Sequence, residues 1–344
     1  MQQLTFLAPG QFEWQDVPRP TLRADTDAIV RPIAVARCDL DLYIANGAIA
    51  YRGPFAFGHE SIGEVVDAGP AAGVVPGARV VVPFQLSCGA CAPCRRGWTN
   101  SCAAFPFGAA YGLKPTSGSE FGGALSALMH VPFARHMLVP LPDNIDPLDA
   151  ASACDNIADG WRAVGPHLAE RPGASVLVIG GLAQSVSLYA AGCAVALNAG
   201  RVLYLDDDAG RRARAQALGA ETADAQNFQD GRDVFDIVVE GNGSAESLAH
   251  AVRATAPNGV LTSVSIHLEA FTPLPLTRAY YTGLTLHTGR VQSRMALPHV
   301  LACITCGALH PERVTHRVCG FADAPEALPD PGPKVVFTAN DLVE

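Results

Sequence analysis

Apolar residues change their spacing along this 344-residue chain near residue 150. Before that point, short β-branched runs alternate with proline and glycine, as in DAIVRPIAV (27–35), SIGEVVDAG (61–69) and ARVVVPF (78–84). Brief runs of this kind between turn formers are typical of short strands. The first part of the chain is therefore predicted to be mostly β.

After residue 150, strand-like and helix-like stretches alternate. The strand-like runs are SVLVIGG (175–181), RVLYLD (201–206), FDIVVEG (235–241) and GVLTSVSI (259–266). Helix-like stretches such as RRARAQALGA (211–220) lie between them, and a helix (297–309) and a closing strand (334–338) follow. This alternation predicts an α/β region with a doubly wound parallel sheet.

Composition and charge narrow the class of protein. The chain is 49% hydrophobic and 17% charged, with a net charge of −9, which argues against nucleic acid or anionic membrane as a partner. The longest apolar run (186–197) is too short to span a bilayer, and the N-terminus lacks a signal-peptide pattern. We therefore expect a cytoplasmic protein with reduced cysteines.

Four cysteines lie within fifteen residues in CGACAPCRRGWTNSC, namely Cys88, Cys91, Cys94 and Cys102. The C-x2-C-x2-C-x7-C spacing is typical of a closed tetrahedral zinc site, which has no open position for a substrate. The alternative is a cluster of free or disulfide-bonded cysteines. The spacing favours a structural zinc ion.

Two further segments, RCDLDLYIANG (37–47) and FGHESIGEVV (57–66), together with the quartet, resemble the zinc-dependent medium-chain alcohol dehydrogenases. The resemblance implies a catalytic zinc ion on Cys38, His59 and Asp155, with Glu60 beside the metal. Three ligands leave one position open, where an alcohol is acidified and can release hydride to a nicotinamide. The alternative is that Cys38 and His59 are merely buried core residues.

The resemblance also implies the domain organisation. Residues 1–151 and 288–344 would form a GroES-like, mostly-β catalytic domain with a zinc lobe at about 85–105. Residues 152–287 would form a Rossmann domain that binds NAD. A homodimer or homotetramer and a small alcohol or aldehyde substrate are expected.

The predicted phosphate loop departs from the G-x-G-x-x-G fingerprint. Gly180 holds its first position and Gly181 follows, but Leu182 stands where the second glycine lets the backbone approach a pyrophosphate. Asp206, which ends the next strand, is expected to bind the adenosine ribose and to favour NAD over NADP.

Further cofactor contacts are expected by position. Arg211 could contact an NADP phosphate, although a solvated charge on a helix face is the favoured interpretation for it and Arg212. Glu240 and Asn242 of VEGNGS would lie near the nicotinamide ribose, and Ile266 near the nicotinamide.

The substrate site departs from the family pattern as well. Leu40 replaces the serine or threonine that relays the alcohol proton in most members, and Tyr43 stands where some carry a relay histidine. Phe84 and Leu40 would line the substrate pocket. The alternatives are an aldehyde dehydrogenase or dismutase with aspartate as third zinc ligand, and a binding protein on a degenerate dehydrogenase scaffold.

Overall fold

The computed structural model describes residues 1–113, 121–227 and 233–339. By backbone contacts, the chain forms two compact units. Within the described ranges, the first contains Met1–Ala158, Gln292–Leu301 and residues 315–339, and the second contains Asp159–Val291 and Ala302–Val314. Residues 302–314, predicted within the first domain, pack in the second unit, where Arg313 Nη1 donates to the carbonyl of Ala217 (2.6 Å). The catalytic and cofactor-binding roles of the units stay predictions.

Short strands dominate the chain before residue 150, as the β-branched runs predict. The strands are β1 (Gln2–Ala8), β2 (Gln11–Asp16), β3 (Ala28–Ala36), β4 (Phe55–Ala56), β5 (Glu60–Ala68), β6 (Arg79–Val82), β7 (Met129–Val131) and β8 (Val139–Pro140). The helices are α1 (Asp39–Ala45), α2 (Ala92–Arg95), α3 (Ala134–Met137) and α4 (Pro147–Ala150).

Strands and helices alternate in the middle of the chain, where the periodicity predicts them. The strands are β9 (Ser175–Ile179), β10 (Arg201–Asp206), β11 (Glu221–Asp224), β12 (Phe235–Glu240), β13 (Thr255–Ser263) and β14 (Thr285–His287). The helices are α5 (Asn156–Glu170), α6 (Gln184–Ala196), α7 (Ala209–Ala217), α8 (Ala245–Ala254) and α9 (Leu276–Thr282). The chain ends with α10 (Ser293–Thr305), β15 (Arg317–Gly320), α11 (Ala324–Ala327) and β16 (Val335–Thr338).

The first unit contains a three-stranded and a seven-stranded sheet. The larger has the order β15-β16-β3-β5-β6-β8, with β7 also paired to β3. All its pairs are antiparallel except β15 with β16. A cluster of buried aromatic rings lies on the smaller sheet, β2-β1-β4, with Phe6 and Phe55 at 5.0 Å and Phe12 and Phe57 at 5.1 Å between centroids. Burial of these rings on one sheet face stabilises the unit.

The second unit contains a six-stranded parallel sheet in the order β11-β10-β9-β12-β13-β14. Counted from β9, this is the 3-2-1-4-5-6 order of dinucleotide-binding folds. The order reverses between β9 and β12, where ligands bind at the carboxyl ends of strands in such sheets. The predicted doubly wound parallel sheet is confirmed.

No helix in the described ranges is both long and apolar enough to cross a membrane.

Candidate metal centres and cofactor site

Three loops of the first unit bring together Cys38, His59 and Asp155. Cys38 is the N-cap of α1, and its backbone N–H donates to the Asp41 carboxylate (3.0 Å). His59 directly precedes β5, and Asp155 directly precedes α5. Each side chain therefore stands at the end of a regular element whose backbone is held by its own hydrogen bonds.

The three donor atoms lie within 4.8 Å of one another, and all three residues are buried. His59 Nε2 is 3.2 Å from Asp155 Oδ2, while its Nδ1 faces Asp41 Oδ1 at 3.5 Å. A thiolate, an imidazole nitrogen and a carboxylate oxygen are a donor set that zinc accepts, with a fourth position left for a water or a substrate. These residues fit a catalytic zinc ion.

Because the cluster is buried, its negative charges are costly unless a cation lies among them. Burial and the nearby Asp155 carboxylate raise the pKa of Cys38 well above its ordinary value. Burial alone would lower the pKa of His59, but Asp41 and Asp155 outweigh it and raise that pKa to about 9. Since the acidic groups outnumber the cations around the thiol, a divalent ion would offset charge that the cluster itself leaves uncompensated.

The cysteine quartet forms a second centre in the same unit. The four sulfur atoms lie within 4.8 Å of one another, and Cys91 and Cys102 are 3.8 Å apart. Backbone N–H groups point at the sulfurs, for example from Ala103 to Cys91 (3.4 Å) and from Ala104 to Cys102 (3.4 Å). Such bonds stabilise thiolates, so the quartet fits a closed zinc site.

The loop after β9 needs glycine at two positions. A Cβ on Gly180 would collide with Asp206 Oδ2, and Gly181 has φ +154° with the Cα of Asn242 only 2.5 Å from an added Cβ. Leu182 is 45% exposed, and its Cδ1 would be 3.2 Å from a Cβ on Gly243. The loop therefore lies close to the β12 loop at the switch point of the sheet, which fits a phosphate-binding position.

The loop after β12 is held by Glu240, a fully buried carboxylate. Its Oε1 accepts from the backbone N–H of Asn242 (2.9 Å) and of Gly243 (2.8 Å), and its Oε2 accepts from Ser263 Oγ (2.9 Å). These bonds give Glu240 a structural role in shaping the loop. Its contact with a cofactor, and those of Asn242 and of the exposed Ile266, stay predictions.

This chain is similar to known dehydrogenases. Residues 24–143 match the family model of the alcohol dehydrogenase GroES-like domain. A protein of Mycobacterium tuberculosis named as a probable zinc-binding alcohol dehydrogenase is 29% identical over 314 residues, 87% of this chain and 77% of that protein. The NADP-dependent isopropanol dehydrogenase of Thermoanaerobacter brockii is 30% identical over 279 residues, 77% of this chain and 76% of that one.

The chain belongs to the zinc-type alcohol dehydrogenases. The solved structure of the alcohol dehydrogenase TADH from Thermus sp. ATN1 has the same fold, with a TM-score of 0.89 at 29% identity over 98% of this chain and 99% of that one. The predicted resemblance and the GroES-like plus Rossmann fold class are thereby confirmed.

In this alcohol dehydrogenase the Asp206 carboxylate, which is expected to bind ribose, already accepts hydrogen bonds from other residues of the chain. Asp206 accepts from Arg211 Nε (2.7 Å) and Nη2 (2.6 Å), from Tyr204 OH (2.8 Å) and from the backbone N–H of Asp208 (2.9 Å). The expectation that Arg211 is a solvated charge is wrong, because its side chain is only 17% exposed and pairs bidentately with Asp206. Ribose hydroxyls would have to displace this guanidinium.

The predicted pocket residues of this alcohol dehydrogenase lie near the ligand cluster. The Phe84 ring is 5.3 Å from the His59 ring, and Leu40 packs against the core of the first unit from the first turn of α1. Burial together with Asp41 and Cys38 raises the pKa of Tyr51, a half-buried phenol that the sequence did not single out. The substrate roles of Phe84 and Leu40, and the relay role of Tyr43, stay predictions.

Two residues around the ligands were missed by sequence reasoning. Asn156 Nδ2 donates to Cys38 Sγ (3.3 Å) and to Asp155 Oδ2 (3.2 Å). Lys334, fully buried at the start of β16, donates to Glu60 Oε2 (3.1 Å) and to Asn156 Oδ1 (2.6 Å). The composition offered the one clue to Lys334. Of the 24 lysine and arginine residues, Lys114 and Lys334 are the two lysines, so a lysine is unusual in this sequence.

Proposed function

We propose that this chain is an NAD-dependent zinc alcohol dehydrogenase that interconverts an alcohol and its aldehyde or ketone. The observation that carries the proposal is the buried convergence of the Cys38 thiol, the His59 imidazole and the Asp155 carboxylate within 4.8 Å. Three ligands with an open position are the composition of catalytic zinc sites, whereas the quartet in the same unit has four ligands and is structural.

The side chains around the ligands prepare the site. Asp41 Oδ1 lies 3.5 Å from His59 Nδ1, and its charge favours the ring orientation in which Nε2 faces Asp155. The ring of Phe84 lies 5.3 Å from the His59 ring, so an apolar group borders the ligand cluster on that side. A bound zinc ion would supply Lewis-acid polarisation of the substrate oxygen. Because Leu40 has no hydroxyl group, the alcohol proton leaves by a different route, for which water, Glu60 and Tyr43 are the candidates.

NAD is the proposed dinucleotide. Asp206 ends β10 as a buried carboxylate paired with Arg211, and the exposed Asp207 and Asp208 follow it, so a 2′-phosphate would meet more acidic than basic groups there. Arg211 favours the NADP alternative only if it leaves Asp206. Burial alone would raise the pKa of the Asp206 carboxyl, but the hydrogen bonds from Arg211 and from the backbone outweigh burial and lower that pKa. NADP is therefore disfavoured as long as Arg211 stays paired with Asp206, or as long as ribose hydroxyls take the place of Arg211 on that carboxylate.

We also propose that the protein self-associates and is cytoplasmic. Large apolar side chains are exposed around α9 and β14, among them Phe271 (93%), Tyr280 (82%) and Tyr281 (80%). β14 ends the described parallel sheet, and a second copy could cover both the edge and the apolar surface. All ten cysteines are free, which supports a reducing, cytoplasmic location.

The decisive experiment compares the zinc content and activity of the wild type with those of Asp155→Ala. We expect about two zinc ions per chain in the wild type and about one in the variant. The wild type should oxidise primary or secondary alcohols with NAD more efficiently than with NADP, and Asp155→Ala should lose this activity by a factor of at least about 100.

Cys154→Ala is the matched control, because Cys154 is a buried neighbour of Asp155 that is not in the ligand cluster. This variant should keep about two zinc ions per chain. About one zinc ion in the wild type, or loss of zinc from Cys154→Ala but not from Asp155→Ala, would show that the proposed catalytic site is wrong. Aldehyde turnover without added NAD would favour a dismutase.

A further inference from the structure

Asn156 is a buried amide between two of the three proposed zinc ligands. Its Nδ2 lies 3.3 Å from Cys38 Sγ and 3.2 Å from Asp155 Oδ2. Its Oδ1 accepts from Lys334 Nζ (2.6 Å) and from the backbone N–H of Asp39 (3.4 Å). One side chain thus contacts both anionic ligands on one end and two donors on the other.

The chemistry of Lys334 fixes which end of the amide faces which partner. An ammonium group has three donors and no acceptor, so only the amide oxygen can face Lys334. The amide nitrogen must then face the thiolate and the carboxylate. If the Asn156 amide flipped, its N–H groups would face the ammonium of Lys334, and its oxygen would face the thiolate and the carboxylate. Both contacts would be unfavourable.

Lys334 is itself fully engaged. It is fully buried, and its ammonium donates to the carbonyl of Arg37 (2.7 Å), to Asn156 Oδ1 (2.6 Å) and to Glu60 Oε2 (3.1 Å). Its N–H groups thus face the carbonyl of Arg37, the amide oxygen of Asn156 and the Glu60 carboxylate, whose Oε1 lies at 3.4 Å. Elsewhere the chain uses arginine for nearly all of its cations. A planar guanidinium would not reproduce this compact arrangement.

We propose that Asn156, held in one orientation by Lys334, is a positioning residue that fixes Cys38 and Asp155 as ligands of the catalytic zinc ion. This inference rests on the proposed zinc site. The N–H···S bond withdraws electron density from the thiolate, and the second N–H sets which way the Asp155 carboxylate turns. Partners of this kind typically change metal affinity by about 10- to 100-fold.

The test replaces Asn156 by alanine and by aspartate and measures the metal rather than turnover. In the cobalt-substituted protein, loss of the N–H···S bond should shift the thiolate-to-cobalt charge-transfer band of Cys38 to longer wavelength. Release of the catalytic zinc ion to a chelator should become about 10- to 100-fold faster. Asn156→Asp keeps the size of the side chain and an acceptor for Lys334, but removes the donor.

The quartet provides an internal control, since none of its cysteines contacts Asn156 or Lys334 in the described hydrogen bonds. Its slow zinc release should be unchanged in both variants. Lys334→Met should shift the band in the same direction by a smaller amount. Ser126→Ala, which removes a buried hydroxyl bonded to the carbonyls of Gly123 and Leu128, should leave both readouts at their wild-type values.

The outcomes separate this inference from the zinc proposal. If the wild type binds cobalt only at the quartet, the proposed catalytic site is wrong. If the wild type binds cobalt at both sites and neither Asn156 variant changes the band or the release rate, the positioning role is wrong. Should Asn156→Ala unfold, seen as accelerated release from the quartet, Asn156→Asp decides by the same band.

Discussion

Asp27 is a buried carboxylate whose hydrogen bonds hold the start of β3. It accepts from the backbone N–H of Ala24 (3.0 Å) and contacts His130 Nε2 (2.8 Å) on the neighbouring strand β7. Burial opposes its ionisation, but the bonds from His130 and the backbone outweigh burial and lower its pKa below the ordinary value of 3.8. The ionised form is therefore the one that stabilises the native state.

Asp27→Asn should lower the free energy of unfolding at pH 7 by about 1.5–3 kcal/mol, as expected for bonds to a charged group. The folded pKa lies below the unfolded value, so this contribution is fully present above pH 3.8 and is lost as the pH falls through the folded pKa. Urea unfolding at pH 7, 5 and 3 measures the difference. A constant difference over this range would contradict the ionic origin, and the exposed neighbour Asp25→Asn serves as the control.

At the scale of elements, local chemistry sets where helices and strands begin. The sequence predicts a helix from residue 211, but α7 begins at Ala209 because the Asp208 side chain caps it, accepting from the N–H of Arg211 (2.7 Å). Similarly β13 begins at Thr255, before the predicted residue 259. Residues 257–259 interrupt the pairing with β12 but do not end the strand. Asn258, within this segment, has φ +57°.

Asp208→Ala should lower the free energy of unfolding by about 1 kcal/mol, because it removes the cap of α7 and leaves a terminal N–H without this acceptor. Asp207→Ala is the matched control. Its side chain is 68% exposed and contacts Arg211 only at 3.4 Å, so its effect should be close to zero. Thermal unfolding of both variants measures the difference, and equal losses would show that the cap is not the cause.

At the scale of the whole molecule, the exposed surface on α9 and β14 is the feature that an isolated chain leaves unexplained. Tyr280 and Tyr281 stand side by side on α9, with their ring centroids 5.5 Å apart. Exposed aromatic side chains beside a sheet edge are unfavourable in water and are typical of surfaces that another chain covers. This surface is the basis for the proposed self-association.

Tyr281→Glu should convert the wild-type oligomer into a smaller species, because it would bury a charge in the interface. Light scattering after size-exclusion chromatography gives the mass of each species at equal protein concentration. Val75→Glu, at an exposed position of the first unit, should leave the mass unchanged. A monomeric wild type would refute self-association, and an unchanged mass for Tyr281→Glu would place the interface elsewhere.

The sequence by itself determined most of the elements, the doubly wound sheet and the cysteine quartet, because periodicity and close spacing are local properties. The ligand set of Cys38, His59 and Asp155 spans more of the chain and followed from the resemblance to a known family, not from spacing. The cysteine quartet lies within fifteen residues, so its spacing alone predicts a site. The tertiary structure decided which distant groups meet. Lys334 reaches Asn156 across 178 residues. Arg211 follows Asp206 by only five residues, but the turn from β10 into α7 decides that it pairs with that carboxylate. Neither contact follows a repeating pattern, since both depend on how the strands and loops pack and on which buried charges need a partner.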